Sequence, residues 1–261
     1  MERRFYAMRL WYDGSRFRGF QRQPGLATVE EALQGALLRA GVHAHLSAAA
    51  RTDAGVHALS QVVSFAVRAA LDPEALRREL NAALPGGIAV LEVWAEREGF
   101  HARASARART YVYLVGTDVP EGLAGYTWSL PDTRAFPSAP ARELDPALLR
   151  AALAHAVGTH DFAGFARARP AGSARRTLLR AEVHSASWAP LHALVLEGTG
   201  FVRAMARNLV GTAVAAGLGL IPPSRVAEIL SAKGRYRGVR APGHGLTLAA
   251  VAYPAFDREA R

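Results

Sequence analysis

The chain contains no cysteine. That excludes disulfides, thiolate metal sites and cysteine nucleophiles, and it fits a reducing compartment. Lysine is nearly absent as well. Of 32 Lys and Arg residues only Lys233 is lysine, which leaves 32 − 1 = 31 arginines. No apolar run reaches the roughly 18 residues of a membrane-spanning helix. Met1-Glu2-Arg3-Arg4 leads into a strand pattern and not into the apolar core of a signal peptide, so a cytoplasmic location is expected. No Walker motif or G-x-G-x-x-G is present, and nucleotide cofactors are not indicated. His43 and His45 share a strand face but lack an H-E-x-x-H context or a carboxylate triad, so no metal is expected.

What is present is arginine, on a chain of 261 residues that is half hydrophobic and long enough for one large domain or two ordinary ones. Net charge is 32 − 22 = +10, and the pI is near 10.8. A basic soluble protein of this size most often meets a polyanion. Arginine forks bind phosphates bidentately and stack on bases. A codon bias toward arginine and alanine accounts equally well for the scarcity of lysine, but not for the net excess of positive charge.

Phe5 to Tyr12 alternates with Tyr6, Met8, Leu10 and Tyr12 on one face, as in a half-buried strand. Asp13-Gly14-Ser15 reads as a turn. Thr28 with Glu31 forms a capping-box pattern for a helix with Val29, Leu33, Ala36 and Leu37 on its apolar stripe, stopped by Gly41. His43 to Ala49 and Ser60 to Arg68 read as two strands. Asp72-Pro73 starts a second helix that runs to Leu84, and Ile88 to Glu96 is a strand. The second half repeats the order without repeating the sequence. It has a strand over Arg109 to Val115, a helix from Asp145-Pro146 to Gly158, and an antiparallel pair at Thr177 to Trp188 and Leu191 to Glu197. Helices over Phe201 to Leu218 and Pro222 to Ala232 and a strand over Leu246 to Tyr253 complete it. Residues 117 to 144, rich in Pro, Gly and Ala, read as an insertion or long loop. The fold class expected is α+β: two ferredoxin-like β-α-β-β-α-β halves joined around a central antiparallel sheet, with a cleft between them. The division falls near Phe100 to Arg107, giving lobes 1–104 and 105–261.

The most informative stretch is Arg51-Thr52-Asp53-Ala54-Gly55-Val56-His57. An aspartate on a tight loop entering a strand can be aimed into a cleft while the sheet holds its base still. An adjacent arginine keeps such a carboxylate ionised, as a nucleophile or base requires. The same residue also reads as an ordinary turn carboxylate capping nearby amides. Arg203, Arg207 and Gly211 fall on one face of the predicted helix at i, i+4 and i+8, either as a solvated stripe or with one arginine reaching toward Asp53. Tyr111 and Tyr113 share a strand face, as core aromatics or as a platform for a flipped base. Arg16, Arg18 and Arg22 surround Phe17 and Phe20, and Arg167, Arg169, Arg175 and Arg176 lie in a second loop; basic loops with aromatics suit phosphate tracking and base stacking. His160-Asp161 invites a hydrolase reading, but no serine in a nucleophile-elbow context completes a triad.

Taken together, Tyr12-Asp13-Gly14-Ser15, Gly19-Phe20-Gln21-Arg22-Gln23 and the Arg51 to His57 run resemble the tRNA pseudouridine synthase A family. Phe100-His101-Ala102-Arg103, Arg109-Thr110-Tyr111-Val112-Tyr113, His160-Asp161-Phe162 and Met205-Ala206-Arg207-Asn208-Leu209-Val210-Gly211 follow in family order. The resemblance implies a two-lobed fold around a central antiparallel sheet, a homodimer, no cofactor, and isomerisation of uridine to pseudouridine at positions 38, 39 and 40 of the tRNA anticodon stem-loop. It implies Asp53 as catalytic aspartate, Tyr111 as active-site tyrosine and Arg207 as the arginine paired with Asp53. Substrate contacts are implied at Arg18, Gln21, Arg51, His57 and Arg103, with Arg51 clamping a phosphate. Two departures stand out. Ala50 replaces the glycine usual before Arg-Thr-Asp, and the loop from Ala166 to Arg176 lacks the usual cysteine- and serine-rich wording. The alternative reading is a non-catalytic tRNA-binding protein or chaperone on the same scaffold, which would need the arginines but not Asp53.

Overall fold

The computed structural model describes residues 3–130, 136, 143–168, 172–231 and 238–254. The chain divides into two compact units, Met1–Arg109 with Leu248–Arg261, and Thr110–Thr247. Among the described residues the first unit therefore also takes in 248–254, apart in sequence from the rest of it. The mixed α+β class with mostly antiparallel pairing is as expected.

In the first unit the elements run β1 (Arg4–Tyr12), α1 (Val29–Arg39), β2 (Ser47–Ala48), β3 (His57–Val67), α2 (Pro73–Ala83) and β4 (Ile88–Glu96). The strand β10 (Leu246–Ala252) joins them, and the order is β4-β1-β3-β10, with β2 laid on β3. β1 pairs antiparallel with β3 from Arg4↔Val67 to Tyr12↔Ala58, and with β4 from Phe5↔Glu96 to Tyr12↔Ile88. Alternation along β1 puts Tyr6, Met8, Leu10 and Tyr12 in one buried layer. Tyr6 stacks on its cross-strand partner Phe65 at 5.7 Å. The other face carries a smaller cluster of Ala7, Ala49, Val62, Phe100 and Ala102, covered by Trp94, Val251 and Tyr253.

Both helices of this unit start where their caps dictate. Thr28 Oγ accepts from Glu31 N–H at 3.3 Å, and Asp72 Oδ1 accepts from Glu74 N–H and Ala75 N–H at 2.9 and 3.1 Å. The predicted strand over His43 to Ala49 shrinks to Ser47–Ala48. Gln34 on α1 donates to Ala44 O at 3.0 Å, so a helix side chain takes the carbonyl that a ladder would have used.

The second unit holds β5 (Ala108–Gly116), β6 (Thr127–Ser129), α3 (Pro146–Ala154), β7 (Gly158–Asp161), β8 (Arg175–Ser185), β9 (Leu191–Gly198), α4 (Met205–Gly217) and α5 (Arg225–Ser231). Its strand order is β5-β9-β8-β7, with β6 parallel to β5. Nearly every residue of α4 is buried, which marks a central helix and not an amphipathic surface one. Gly217 lets α3 approach: a Cβ there would lie 2.9 Å from Leu149 Cγ. α3 ends at Ala154, four residues short of the predicted stop, because Gly158 at φ +108 opens the unforeseen strand β7. The helix predicted from Pro222 starts at Arg225, and its predicted last residue, Ala232, lies outside the described residues, as does Arg169. The 117–144 segment carries a 3-10 turn at Glu121–Tyr126 and β6 before leaving the described residues at 131.

Asp72→Ala removes both cap hydrogen bonds of α2 and is expected to cost about 1 kcal/mol, with Asp72→Asn recovering most of it. Urea unfolding of the three proteins measures this.

Candidate active site

Within each unit, motif segments distant in sequence meet on a few backbone atoms. In the first unit the centre is the loop Ala49–His57. Its first residue is tied to β3 by Ala49 N–H donating to Val62 O at 2.8 Å. Gln61 holds the next: Ala50 N–H donates to its Oε1 at 3.2 Å, and its Nε2 donates to Ala50 O at 2.6 Å. Thr52, 7% exposed, shares a 2.7 Å hydrogen bond with the Tyr12 hydroxyl, and its carbonyl accepts from Phe20 N–H at 3.0 Å. Val56 N–H then closes the turn onto Asp53 O at 3.2 Å. Asp53 is half-buried and Arg51 is exposed.

The glycines of the upstream motif explain themselves against this loop. Gly19 has φ +97, and a Cβ on it would sit 3.1 Å from Thr52 O, 3.2 Å from Ala54 N and 3.3 Å from Asp53 C. Gly14 lies against the Gly55 and Val56 backbone so closely that no side chain fits. Both the close approach and the positive φ therefore call for glycine at position 19. Gly14 N–H donates to His57 Nδ1 at 3.1 Å, and the same nitrogen lies 3.2 Å from Asp13 Oδ1. The neutral ring accepts from Gly14; a protonated ring would turn Nδ1–H toward the carboxylate. Burial works against ionisation of Asp13. The hydrogen bonds from Ser15 Oγ–H and Ser15 N–H outweigh it, with His57 and Arg16 nearby, and hold the carboxyl below its usual value. The Tyr12 phenol is pushed up to about 12 by burial, with the Thr52 and Gln61 hydrogen bonds opposing, so it stays neutral and serves as a hydrogen-bonding post.

The remaining sequence candidates of this unit sort by exposure. Arg18, Gln21 and Arg103 are exposed, whereas His57 is 3% exposed. Arg22 is engaged by Glu31 at 2.6 Å, and Arg16 faces Asp13 at 3.7 Å. Phe17 and Phe20, read as possible stacking partners, are core residues at 6% and 2% exposure. Their alternation with arginine reflects a chain that turns one side inward and the other out.

In the second unit Tyr111 is 7% exposed and meets Phe201 edge-on at 5.0 Å. Tyr113 is fully buried, and its hydroxyl donates to Pro242 O at 3.0 Å. Burial raises its pKa well above the usual tyrosine value, opposed by the nearby Arg207 charge. Arg207 Nε donates to Ala241 O at 2.8 Å, and Ala241 N–H returns to Arg207 O at 3.1 Å. This close crossing of the 239–241 segment over α4 needs Gly211, whose Cβ would clash with the Val239 backbone. Asn208, 1% exposed, donates to Phe165 O at 2.7 Å and accepts from Arg240 Nε at 3.2 Å. The predicted arginine stripe does not form. Arg203 precedes α4 and is exposed, because Ala204 at φ 65 breaks the helix before Met205. His160 and Asp161 do not act as a pair: Asp161 Oδ1 caps Ala163 N–H at 2.9 Å, and His160 Nε2 bonds Val157 O at 3.0 Å. Among the described residues no group of His, Asp or Glu is arranged to hold a metal ion.

Sequence reasoning missed the supports: Tyr12, Thr52, Gln61 and Arg109 are all buried polar groups whose partners lie far along the chain. The signal available was a polar residue inside a predicted apolar strand, as Gln61 is within β3.

A family model described as tRNA pseudouridine synthase matches residues 10–103 and 152–254. The tRNA pseudouridine synthase A of Streptococcus thermophilus (strain CNRZ 1066) is 35% identical over 254 residues, covering 95% of this chain and 98% of that one. The proteins of the same name from Frankia casuarinae and Ralstonia nicotianae are each 39% identical, covering 94% and 95% of this chain and 88% and 89% of theirs. The chain belongs to the tRNA pseudouridine synthase family. It is an isomerase that converts uridine to pseudouridine in tRNA.

Two opposite substitutions test the backbone reading. Gly19→Ala forces a side chain into a left-handed residue against the aspartate loop and is expected to lower stability by about 1–2 kcal/mol and to lower turnover. Ala204→Gly relieves a left-handed alanine and is expected to be neutral or stabilising by up to about 1 kcal/mol. Thermal unfolding of both variants checks the opposed signs.

Proposed function

We propose that the enzyme acts on uridines 38, 39 and 40 of the tRNA anticodon stem-loop, with Asp53 as the reacting carboxylate. The positions follow from the family resemblance; the observation that carries the assignment of Asp53 is the fixing of the Ala49–His57 backbone on both sides of it, while Asp53 itself stays half-buried. A reacting group needs that combination of rigid base and open tip.

The chemistry is an isomerisation. The bond between C1′ and N1 breaks, the freed uracil turns, and C5 bonds to C1′. C5 gives up its proton and N1 takes one, so the composition is unchanged. The base cannot do this inside a stacked helix, and extruding it costs a few kcal/mol. Asp53 starts the reaction as nucleophile at C1′ or as base toward C2′. Tyr111 and Arg207, carried by the second unit, enter through the motif match: Tyr111 to stack on the extruded ring, Arg207 as the arginine that the motif pairs with Asp53. Arg51, Arg18, Gln21 and Arg103 are exposed and suit contacts to the tRNA backbone, with Arg51 in the aspartate loop itself. His57 is buried against Gly14 and Asp13, so its contribution in this reading is to hold the loop. The net charge of +10 supplies salt-dependent affinity.

Tritium release from tRNA labelled with [5-³H]uridine reports the new carbon–carbon bond. Wild type is expected to release tritium, and Asp53→Asn to release none while binding tRNA as wild type does. Release by Asp53→Asn would overturn the assignment. Mapping of pseudouridine in the product is expected to find it at positions 38, 39 and 40, and modification confined to other positions would sink the site specificity. We also propose a homodimer, since a unit of this size spans only part of a tRNA. A monomeric mass in light scattering at micromolar concentration would exclude it.

A further inference from the structure

Arg109 stands on β5 with 7% of its surface exposed, so a permanent charge is carried into the interior of the first unit. Its guanidinium donates to three backbone carbonyls. Nε and Nη2 reach Ala49 O at 3.3 and 3.0 Å, Nη1 reaches Ala106 O at 3.1 Å, and Nη2 reaches Arg103 O at 2.6 Å. Ala49 is the entry to the aspartate loop. Arg103 and Ala106 belong to the turn after Phe100, which is pinned elsewhere by Ala102 N–H donating to Ser64 Oγ at 2.9 Å and by the Tyr253 hydroxyl donating to Ala102 O at 2.8 Å.

One side chain thus joins two segments that lack regular structure and carry Asp53 and the exposed Arg103. The ladders of β1 with β3 and with β4 are made by backbone pairing of their own. We propose that Arg109 is a positioning residue for the isomerisation: it fixes the aspartate loop and the Arg103 turn in one register and acts through Asp53 without touching the substrate. This rests on Asp53 being the reacting carboxylate. A planar fork reaches three carbonyls in diverging directions, whereas a lysine ammonium is a compact point donor on a shorter reach. Loss of the fork unties the Ala49 carbonyl from the Arg103 turn while the Val62 and Gln61 bonds remain, and a misplacement of about 1 Å at a reacting group lowers turnover about 10²-fold.

The experiment uses full-length Arg109→Ala and Arg109→Lys, with tritium release for kcat and KM, filter binding for tRNA affinity, and circular dichroism at the assay temperature to establish folding. Both variants are expected to bind tRNA within about threefold of wild type and to lose about 10²-fold in kcat with KM little changed. Ethylguanidinium added to Arg109→Ala is expected to restore at least about tenfold of that loss, by refilling the space between the three carbonyls. Failure of rescue in the folded Ala variant, or a kcat of either variant within about threefold of wild type, overturns the proposal. If Arg109→Ala does not fold, Arg109→Lys decides the matter through its kcat and KM alone. Asp53→Asn is assayed alongside. If it remains active, the reading of the site fails; if it is inactive while the Arg109 variants are normal, only the present inference fails.

Discussion

The stretch from Ala49 to Val56 has no regular structure of its own, yet it carries Asp53 between the end of β2 and the start of β3. What holds it is a set of buried polar groups: the Gln61 amide, the Thr52 and Tyr12 hydroxyls, the His57 ring and the Arg109 guanidinium. Each costs desolvation to bury, about 1–3 kcal/mol for a neutral group left unpaired and more for a charge. Each is tolerated because it meets a backbone or hydroxyl partner within 3.5 Å. For Gln61 and Arg109 the partners are the loop's own amide and carbonyls at Ala50 and Ala49, which need satisfying once the loop is drawn against the sheet. The two requirements meet in one network, so loop and supports stand or fall together.

The glycines express the same constraint as shape. Gly14 and Gly19 bring one backbone to within van der Waals range of another at the aspartate loop, and Gly211 does so where the 239–241 segment crosses α4. In both units a motif segment is fixed by a second stretch of backbone and not by neighbouring side chains alone. Backbone carbonyls are set by the fold and have no rotamers, so Arg207 held by Ala241 O has fewer alternative positions than it would against a flexible carboxylate.

This explains what could be read from the sequence and what could not. Helix starts were legible because caps are local: Thr28, Asp72 and Asp145 each bond amides two or three residues on. β4 was legible to the residue because the apolar run from Ile88 to Leu91 follows directly on the Pro85-Gly86-Gly87 turn. The two-residue strand β2 was not, because residues 43–46 spend a carbonyl on a helix side chain that no local pattern reveals. The start of α4 was missed because nothing in Phe201–Ala204 forbids a helix; the break is imposed by a left-handed alanine that only the surrounding fold can sustain. The aspartate loop announced itself as a motif, yet its supports come from as far as sixty residues away, as Arg109 does from Ala49. A periodicity argument has no access to partners at that distance.

Charge and site divide the work of recognition differently from what composition suggests. The 22 acidic residues can neutralise at most as many of the 32 bases, and contacts such as Arg22–Glu31 and Arg180–Glu197 show that some arginines are so engaged at the surface. The excess of ten draws in any polyanion, because phosphate contacts carry no sequence information. Selection must then come from steps that a uniform charge cannot perform. One is the extrusion of a single base, whose cost of a few kcal/mol varies with how well that base is stacked and paired. The other is the acceptance of that base by a loop too rigid to follow a misplaced one. On the proposed assignment of Asp53, a soft aspartate loop on the same basic surface would bind tRNA as tightly and modify it poorly, so the buried hydrogen bonds beneath the loop, and not the arginines around it, would set the discrimination.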